Sequence, residues 1–330
     1  NAVLRRLAAT AKDLPWPDPA RRPVENLVLQ SSHPPWLVER WHRRFGLEEA
    51  RSLCEANNIL PLPALRPNRL RTTPAALKEK LFARGVPSEF SPRIPGILLV
   101  KTARDISSLG SFQEGLFTVQ GESSILVAPL LQPQPGESIV DLCSAPGGKS
   151  THIAELMDDS GKITAVDIHA HRLGLVERAA RRLGLTIIET LQADGTDIGG
   201  AGLQRPHRIL VDAPCSGLGV IRRLPELKWR RLPADLERMP RLQLALLDSA
   251  AKLLRPGGLL LYSVCTFETE ETTAVMEAFN AAHPSFKPHP LQPLLPSGLG
   301  TAAAGSGGAV YLYPHLHGMD GFFLALWQKP

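Results

Sequence analysis

From Pro133 onward the chain alternates short apolar runs with longer stretches of helical spacing, and this alternation restricts the fold more than any other feature. "ESIVDLCSAPGGKSTHIAELM", residues 137–157, reads as strand, glycine loop and helix. "GKITAVDIHAHRLGLVERAARRLGL", residues 161–185, repeats strand and helix. "TIIETLQADG", "HRILVDAPC" and "GGLLLYSVC" add three more apolar runs, each ending in polar or glycine-rich residues. Strands separated by crossover helices pair in parallel, so the pattern predicts an α/β fold, a doubly wound Rossmann-like sheet. After a glycine stretch at 305–308, "VYLYPHLHGMDGFFLALWQ" reads as a late hairpin in the same sheet.

Such sheets bind ligands beyond the carboxyl ends of their strands. Asp141, Asp167, Asp194, Asp212 and Cys265 all fall there. Singly, an aspartate in this position is most often a turn former or a helix cap. Together they outline one site. The loop "DLCSAPGGK" joins the first strand to a helix beginning near Gly148–Lys149. Gly147 and Gly148 let the backbone approach a ligand closely, and the free N–H groups of the helix start favour negative charge such as a carboxylate. The loop lacks both the G-x-x-x-x-G-K-[ST] phosphate loop and the G-x-G-x-x-G dinucleotide fingerprint. Asp167 is placed for ribose hydroxyls and Asp194 for an adenine amino group. S-adenosylmethionine has an amino-acid end, a ribose and an adenine but no phosphate, and it fits this set.

Cys215 and Cys265 both sit at strand ends on the ligand side. A lone buried cysteine is usually a small apolar filler, but two thiols facing one pocket point to covalent chemistry with separate roles. Cytosine C5 is a poor nucleophile until a thiolate adds at C6. A second group must then remove the C5 proton so that the thiol can leave. A carboxylate near ring N3 stabilises the intermediate. Asp212 with the two cysteines supplies these three tasks, and the residues alone do not say which cysteine performs which. Methylation of an exocyclic amine needs no thiol, and its usual D-P-P-Y sequence is here Asp212-Ala213-Pro214-Cys215.

The upstream part differs. Residues 1–20 hold an amphipathic helix, "NAVLRRLAATAK", that suggests a chain continuing upstream, followed by a proline-rich linker over 13–23. Residues 21–60 read as a helical linker segment, with "HPPWLVERWHRRFG" and "LEEARSLCEANN" as its helices. Residues 61–120 read as a small α+β module, and 121–330 as the domain built on the large sheet. Residues 1–120 carry a net charge of +7 and the remainder −2, so the front half is expected to meet a polyanion, with Arg66, Arg69 and Arg71 gripping RNA phosphates. No pair among Cys54, Cys143, Cys215 and Cys265 has zinc-site spacing, so no metal is expected. With no signal peptide and no apolar run near the ~20 residues of a membrane span, a cytoplasmic protein without membrane contact is expected.

"DLCSAPGGK", "AVDIHAHRL", "ADG", "LVDAPCSGLGVIRRLPELKW" and "DGFF", in this order between about Gln120 and Trp327, resemble the NOL1/NOP2/Sun family of RNA (cytosine-5) methyltransferases, and in particular its bacterial 16S rRNA members. The resemblance implies that Cys143, Ser144, Ala145, Pro146, Gly147, Gly148 and Lys149, with Asp167, Asp194 and Asp212, contact S-adenosylmethionine. It implies that Cys265 is the nucleophile, that Cys215 assists product release, that Asp212 also faces the target base, and that 16S rRNA is the partner. It further implies that residues 61–120 are an RNA-binding module and that "NAVLRRL" ends a NusB-like RNA-binding domain. Two positions depart from the family pattern: Val264 stands where threonine precedes the nucleophile, and Gly121 where an acid follows Gln120. The alternatives are the same chemistry on tRNA or another rRNA cytosine, and a non-enzymatic RNA-binding protein, which the intact Asp212, Cys215 and Cys265 disfavour.

Overall fold

The computed structural model of the protein describes residues 2–11, 16–101, 105–299 and 306–330. Asn1, part of the proline-rich linker and Gly305 of the glycine stretch lie outside the described residues. In chain order the strands are β1 (Ala64–Pro67), β2 (Ser88–Phe90), β3 (Leu98–Val100), β4 (Phe117–Val119), β5 (Ser138–Asp141), β6 (Lys162–Asp167), β7 (Ile188–Gln192), β8 (Arg208–Asp212), β9 (Leu259–Val264), β10 (Lys287–Pro288), β11 (Val310–Leu312) and β12 (Phe322–Gln328).

The large sheet runs β10-β12-β9-β8-β5-β6-β7, with β11 pairing β12. Strands β5 to β9 pair in parallel, and β12 lies antiparallel to β9. After β5 the chain steps outward through β6 and β7, then returns to place β8 on the other side of β5. That reversal opens a crevice at the carboxyl ends of β5 and β8. Both faces of the sheet are covered. Leu260, Tyr262 and Val264 of β9 and Phe323, Ala325 and Trp327 of β12 enter one core. Their alternates Leu259 and Leu261, and Phe322, Leu324 and Leu326, enter the other. A strand buried on both faces has to be apolar at every position, which is why "FFLALW" carries no alternation. The expected sheet and late hairpin are therefore present.

Strands β1 to β4 form a separate antiparallel sheet in the order β2-β3-β1-β4. With the helices Pro74–Ala83 and Gly110–Gln113 they give a β-α-β-β-α-β chain order of ferredoxin type. Thr73 caps the first of these helices, its hydroxyl accepting the Ala76 N–H, with Pro74 at the first helical position. Leu65, Leu77, Leu81, Leu98, Val100 and Phe117 make its own small core.

The helices Pro23–Ser31, Pro35–Phe45 and Leu47–Asn57 do not stand apart as a spacer. Leu27, Leu37, Val38, Trp41, Ala50 and Leu53 are buried in the same core as β9 and β12. The helix Pro233–Leu253, the longest among the described residues, packs on that face as well.

One expectation is corrected here. Arg66 cannot grip a phosphate, because its side chain is 3% exposed and bridges Glu155 of the helix Gly148–Leu156 at 3.1 Å. Arg69 is open but paired with Asp158, and Arg71 donates to the Glu114 carbonyl. Charge counted along a sequence does not distinguish an arginine spent on an internal ion pair from one facing solvent. The departure at Gly121 also has a structural reading. A Cβ there would lie 2.8 Å from Asp320 Oδ2, and Asp320 is the acid that binds Arg223, at 2.6 Å. Val264 is fully buried and its side chain joins the apolar core, so it fits where it stands.

Candidate active site

The crevice is built from strand ends. Asp141 closes β5, Asp167 closes β6, Asp212 closes β8, Asp194 follows β7 by two residues, and Cys265 follows β9 directly. Because β8 and β9 are parallel neighbours with Asp212 opposite Ser263, their exits bring Cys215 and Cys265 together. The two sulfurs are 3.3 Å apart.

Asp212 is the polar hub. Its Oδ2 lies 2.6 Å from Lys149 Nζ, and its Oδ1 accepts the Ser263 hydroxyl at 2.9 Å. Burial works against the Lys149 charge, but the facing Asp212 carboxylate outweighs it, so the ammonium is held above its ordinary pKa. The Cys265 sulfur adds to that electrostatic hold. The Cys215 thiol is pushed well up, first by its hydrogen bond with Cys265 and then by burial. Either sulfur can be the donor of that hydrogen bond. Cys143 is pushed up by burial and by the carboxylates of Asp141, Asp212 and Asp167, which makes it a poor nucleophile.

Beside this hub lies a cavity of about 320 Å³, lined by Leu142, Cys143, Asp167, Asp194, Leu242 and Leu246 among others. Asp167 is 4% exposed, accepts the His169 N–H and pairs with Arg172 at 3.4 Å. Asp194 caps the turn after β7, accepting the Thr196 N–H at 2.9 Å and its hydroxyl at 2.7 Å, which lowers its pKa. The cap reading and the cavity reading of Asp194 thus hold together. Asp141 is buried, with one oxygen bound to Ser150, and burial pushes its carboxyl up to about 7.

The residues fit a nucleoside-bearing methyl donor on one observation, buried polar atoms left open beside the loop. The Ser144 hydroxyl and Asp141 Oδ1 are buried without a partner among the described residues. Gly147 has φ +103°, and a Cβ there would press to 3.0 Å from Val176 Cα, so only glycine gives the loop this close packing. The loop does not face one way, however. Cys143 lines the cavity, Pro146 and Gly148 line a separate groove of about 660 Å³ beside the small sheet, and Lys149 turns to Asp212.

The sequence reading did not anticipate Leu242 and Leu246 as cavity walls, Ser263 as the partner of Asp212, or the acids after Cys265. The apolar spacing of 236, 246, 247, 250 and 253 behind Pro233 was the available signal for the helix that carries the walls. Among the described residues no group of three or more His, Cys, Asp or Glu side chains is placed to hold a metal, and no helix is long and apolar enough to cross a membrane.

The chain matches the family described as 16S rRNA methyltransferase RsmB/F over residues 128–328. It matches the RsmF/B-like ferredoxin-like domain over residues 33–107. It is 39% identical to the probable ribosomal RNA small subunit methyltransferase B of Bacillus subtilis (strain 168), across 100% of this chain and 73% of that one. Among solved structures it is similar to a methyltransferase homolog protein from Pyrococcus horikoshii, with 29% identity and a TM-score of 0.78 over 92% of this chain and 98% of that one. It is also similar to NSun6 from Pyrococcus horikoshii with SFG, with 25% identity and a TM-score of 0.80 over 90% of this chain and 98% of that one.

Proposed function

The chain belongs to the family of 16S rRNA methyltransferases RsmB/F, and on that premise we propose that it methylates C5 of a cytosine in 16S rRNA through a covalent bond between Cys265 and C6. The observation that carries the reading is the pair of thiols 3.3 Å apart beside the Lys149–Asp212 ion pair. A methyltransferase acting on an exocyclic amine or a ribose hydroxyl has no use for two sulfurs there.

S-adenosylmethionine supplies the methyl group, and Asp167, Asp194, Cys143 and Ser144 are the residues that would hold it. Cys265, having released its thiol proton to solvent, gives its electron pair to C6, and the C5=C6 electrons shift toward C5, which would take the methyl group and leave the broken bond's electron pair with the donor's sulfur. Asp212, beside the ring, steadies the added intermediate, and the Lys149 cation balances the charge. The largest influence holding the proton on Cys215 is Cys265 itself. Bonding of Cys265 to carbon removes that influence but not the burial and the Glu271 charge that also raise Cys215, and under this reading Cys215 has to give its proton to water before it acts. As a thiolate it takes the C5 proton, the C5=C6 bond re-forms, and the C6–S bond breaks to return the electron pair to Cys265.

The test is tritium release from 16S rRNA labelled at cytosine C5. One tritium released per methyl transferred is expected. Methylation without tritium release would overturn the C5 reading.

Asp167→Ala is expected to weaken S-adenosylmethionine binding by about 1.5–3 kcal/mol, the range for a charge-assisted hydrogen bond. Isothermal titration with unchanged affinity would remove Asp167 from the cofactor site.

The proposed division follows the same reading. Residues 121–330 carry the chemistry, 61–120 form a small RNA-binding module, 21–60 are a helical segment and 1–20 end a NusB-like domain. A cytoplasmic location accords with an rRNA substrate.

A further inference from the structure

The loop that presents Cys215 is held from beneath by a carboxylate outside the reacting set. Glu271 closes the short turn Thr269–Glu271 that follows the Cys265 segment, and its side chain is fully buried. Its Oε2 accepts the Ser216 N–H at 2.8 Å and Gln243 Nε2 at 3.0 Å. The same Gln243 nitrogen donates to the Pro214 carbonyl at 3.0 Å. Glu271 and Gln243 therefore grip the peptides on both sides of Cys215. The Glu271 carbonyl is fixed in turn by the Tyr262 hydroxyl at 2.8 Å. A crossbar ties the two thiol segments together, the Ser216 hydroxyl donating to Thr266 Oγ1 at 3.1 Å.

A carboxylate is costly to bury, and burial pushes the Glu271 carboxyl up. Its other oxygen, Oε1, is buried with no partner among the described residues. The group is thus not placed for the stability of an ion pair. What it does is satisfy a buried N–H in the loop that aims the second thiol. Gly217, next in the chain, has φ +73°, so the backbone turns sharply straight after this anchor.

We propose that Glu271 is the positioning residue for Cys215, fixing the Pro214–Ser216 peptides through Oε2 and Gln243 so that the second thiol stays beside Cys265 and product release proceeds. This rests on the release role given to Cys215 above.

The test compares the full chain with Cys215→Ala, Glu271→Ala, Glu271→Gln and Gln243→Met. Both bonds to Glu271 end on a single oxygen, which the amide oxygen of glutamine replaces while the charge is lost. Glu271→Gln is therefore expected to behave as the parent. Glu271→Ala is expected to retain S-adenosylmethionine affinity, to lose turnover by about 10- to 100-fold, and to accumulate a denaturant-stable protein–RNA adduct. Gln243→Met, which keeps the volume, is expected to change in the same direction.

A second readout needs no RNA. Diamide removes both thiol hydrogens and leaves a Cys215–Cys265 disulfide, which forms fastest when the sulfurs are held together. Its formation is expected to slow about tenfold in Glu271→Ala and to be unchanged in Glu271→Gln. Parent-like release and disulfide formation in Glu271→Ala would overturn the proposal. Equal defects in the Ala and Gln variants would also overturn it, because they would assign the effect to charge. If Cys215→Ala itself gives no adduct, the release role of Cys215 has failed, and the diamide rates still decide whether Glu271 positions the thiol.

Discussion

Replacing Cys265 with alanine is expected to lower methyl transfer by about 10⁴-fold or more while leaving S-adenosylmethionine affinity within about twofold. The size follows from the chemistry, since without addition at C6 the ring carbon has no electron pair to offer the methyl group. The selectivity follows from the structure. Cys265 leaves β9 on the Cys215 and Lys149 side, whereas the cavity that fits the methyl donor is lined by Cys143, Asp167, Asp194, Leu242 and Leu246. Losing one sulfur on the first side removes nothing from the second. Single-turnover rates at saturating RNA, with a parallel titration of S-adenosylmethionine, check both parts. A variant that still methylates within about tenfold of the parent would mean that Cys265 is not the nucleophile.

Cys215→Ala has the opposite signature. Methyl transfer to C5 is expected to proceed once, after which the RNA stays bonded to Cys265. A band of protein plus RNA that survives denaturant should then accumulate to near the enzyme concentration, and steady-state turnover should fall by about 10²- to 10⁴-fold, the range for loss of a positioned proton-transfer group. The proposed roles take this order because Lys149 and Asp212 gather on the Cys265 side, and Cys215 is the thiol whose pKa is raised, by its hydrogen bond with Cys265 and by burial. Adduct formation in Cys265→Ala but not in Cys215→Ala would reverse the assignment.

The N-terminal helices extend this picture to the other side of the site. Arg40 pairs with Glu268 and Glu270, Trp41 donates to Glu268 at 2.9 Å, and Arg44 donates to the Phe267 carbonyl at 2.5 Å. The segment just after Cys265 is thus braced by the helix Pro35–Phe45, which the sequence presents only as a helix between prolines and a glycine. Leu37, Val38 and Trp41 of this helix enter the core of the large sheet, and no local pattern says which core a helix face enters.

Arg66 makes the same point from the other direction. Arg66 and Arg69 sit three residues apart in one basic stretch and look alike in sequence. Arg66 lies in β1 facing the helix Gly148–Leu156, while Arg69 has left the strand and reaches solvent. Only the packing of the small sheet on the large one separates an internal tie from a surface charge.

What the sequence by itself determined is whatever depends on local spacing and on side-chain chemistry. Apolar runs of strand length alternating with helices required a parallel sheet, and a parallel sheet puts the carboxyl ends of its strands on one edge. That alone drew Asp141, Asp167, Asp194, Asp212 and Cys265 toward one site, and the glycines of the loop marked where a ligand meets the backbone. The tertiary structure decided what depends on strand order and register. Cys215 and Cys265 are fifty residues apart, and they meet because β8 and β9 are neighbours with Asp212 opposite Ser263. Lys149, read from the sequence as part of the cofactor loop, turns to Asp212 because β5 and β8 flank the reversal in strand order. Glu271 reaches the Cys215 loop because the turn after β9 folds back under the exit of β8. Contacts of this kind join residues far apart in the chain, and a one-dimensional pattern fixes the types of groups present but not which of them touch.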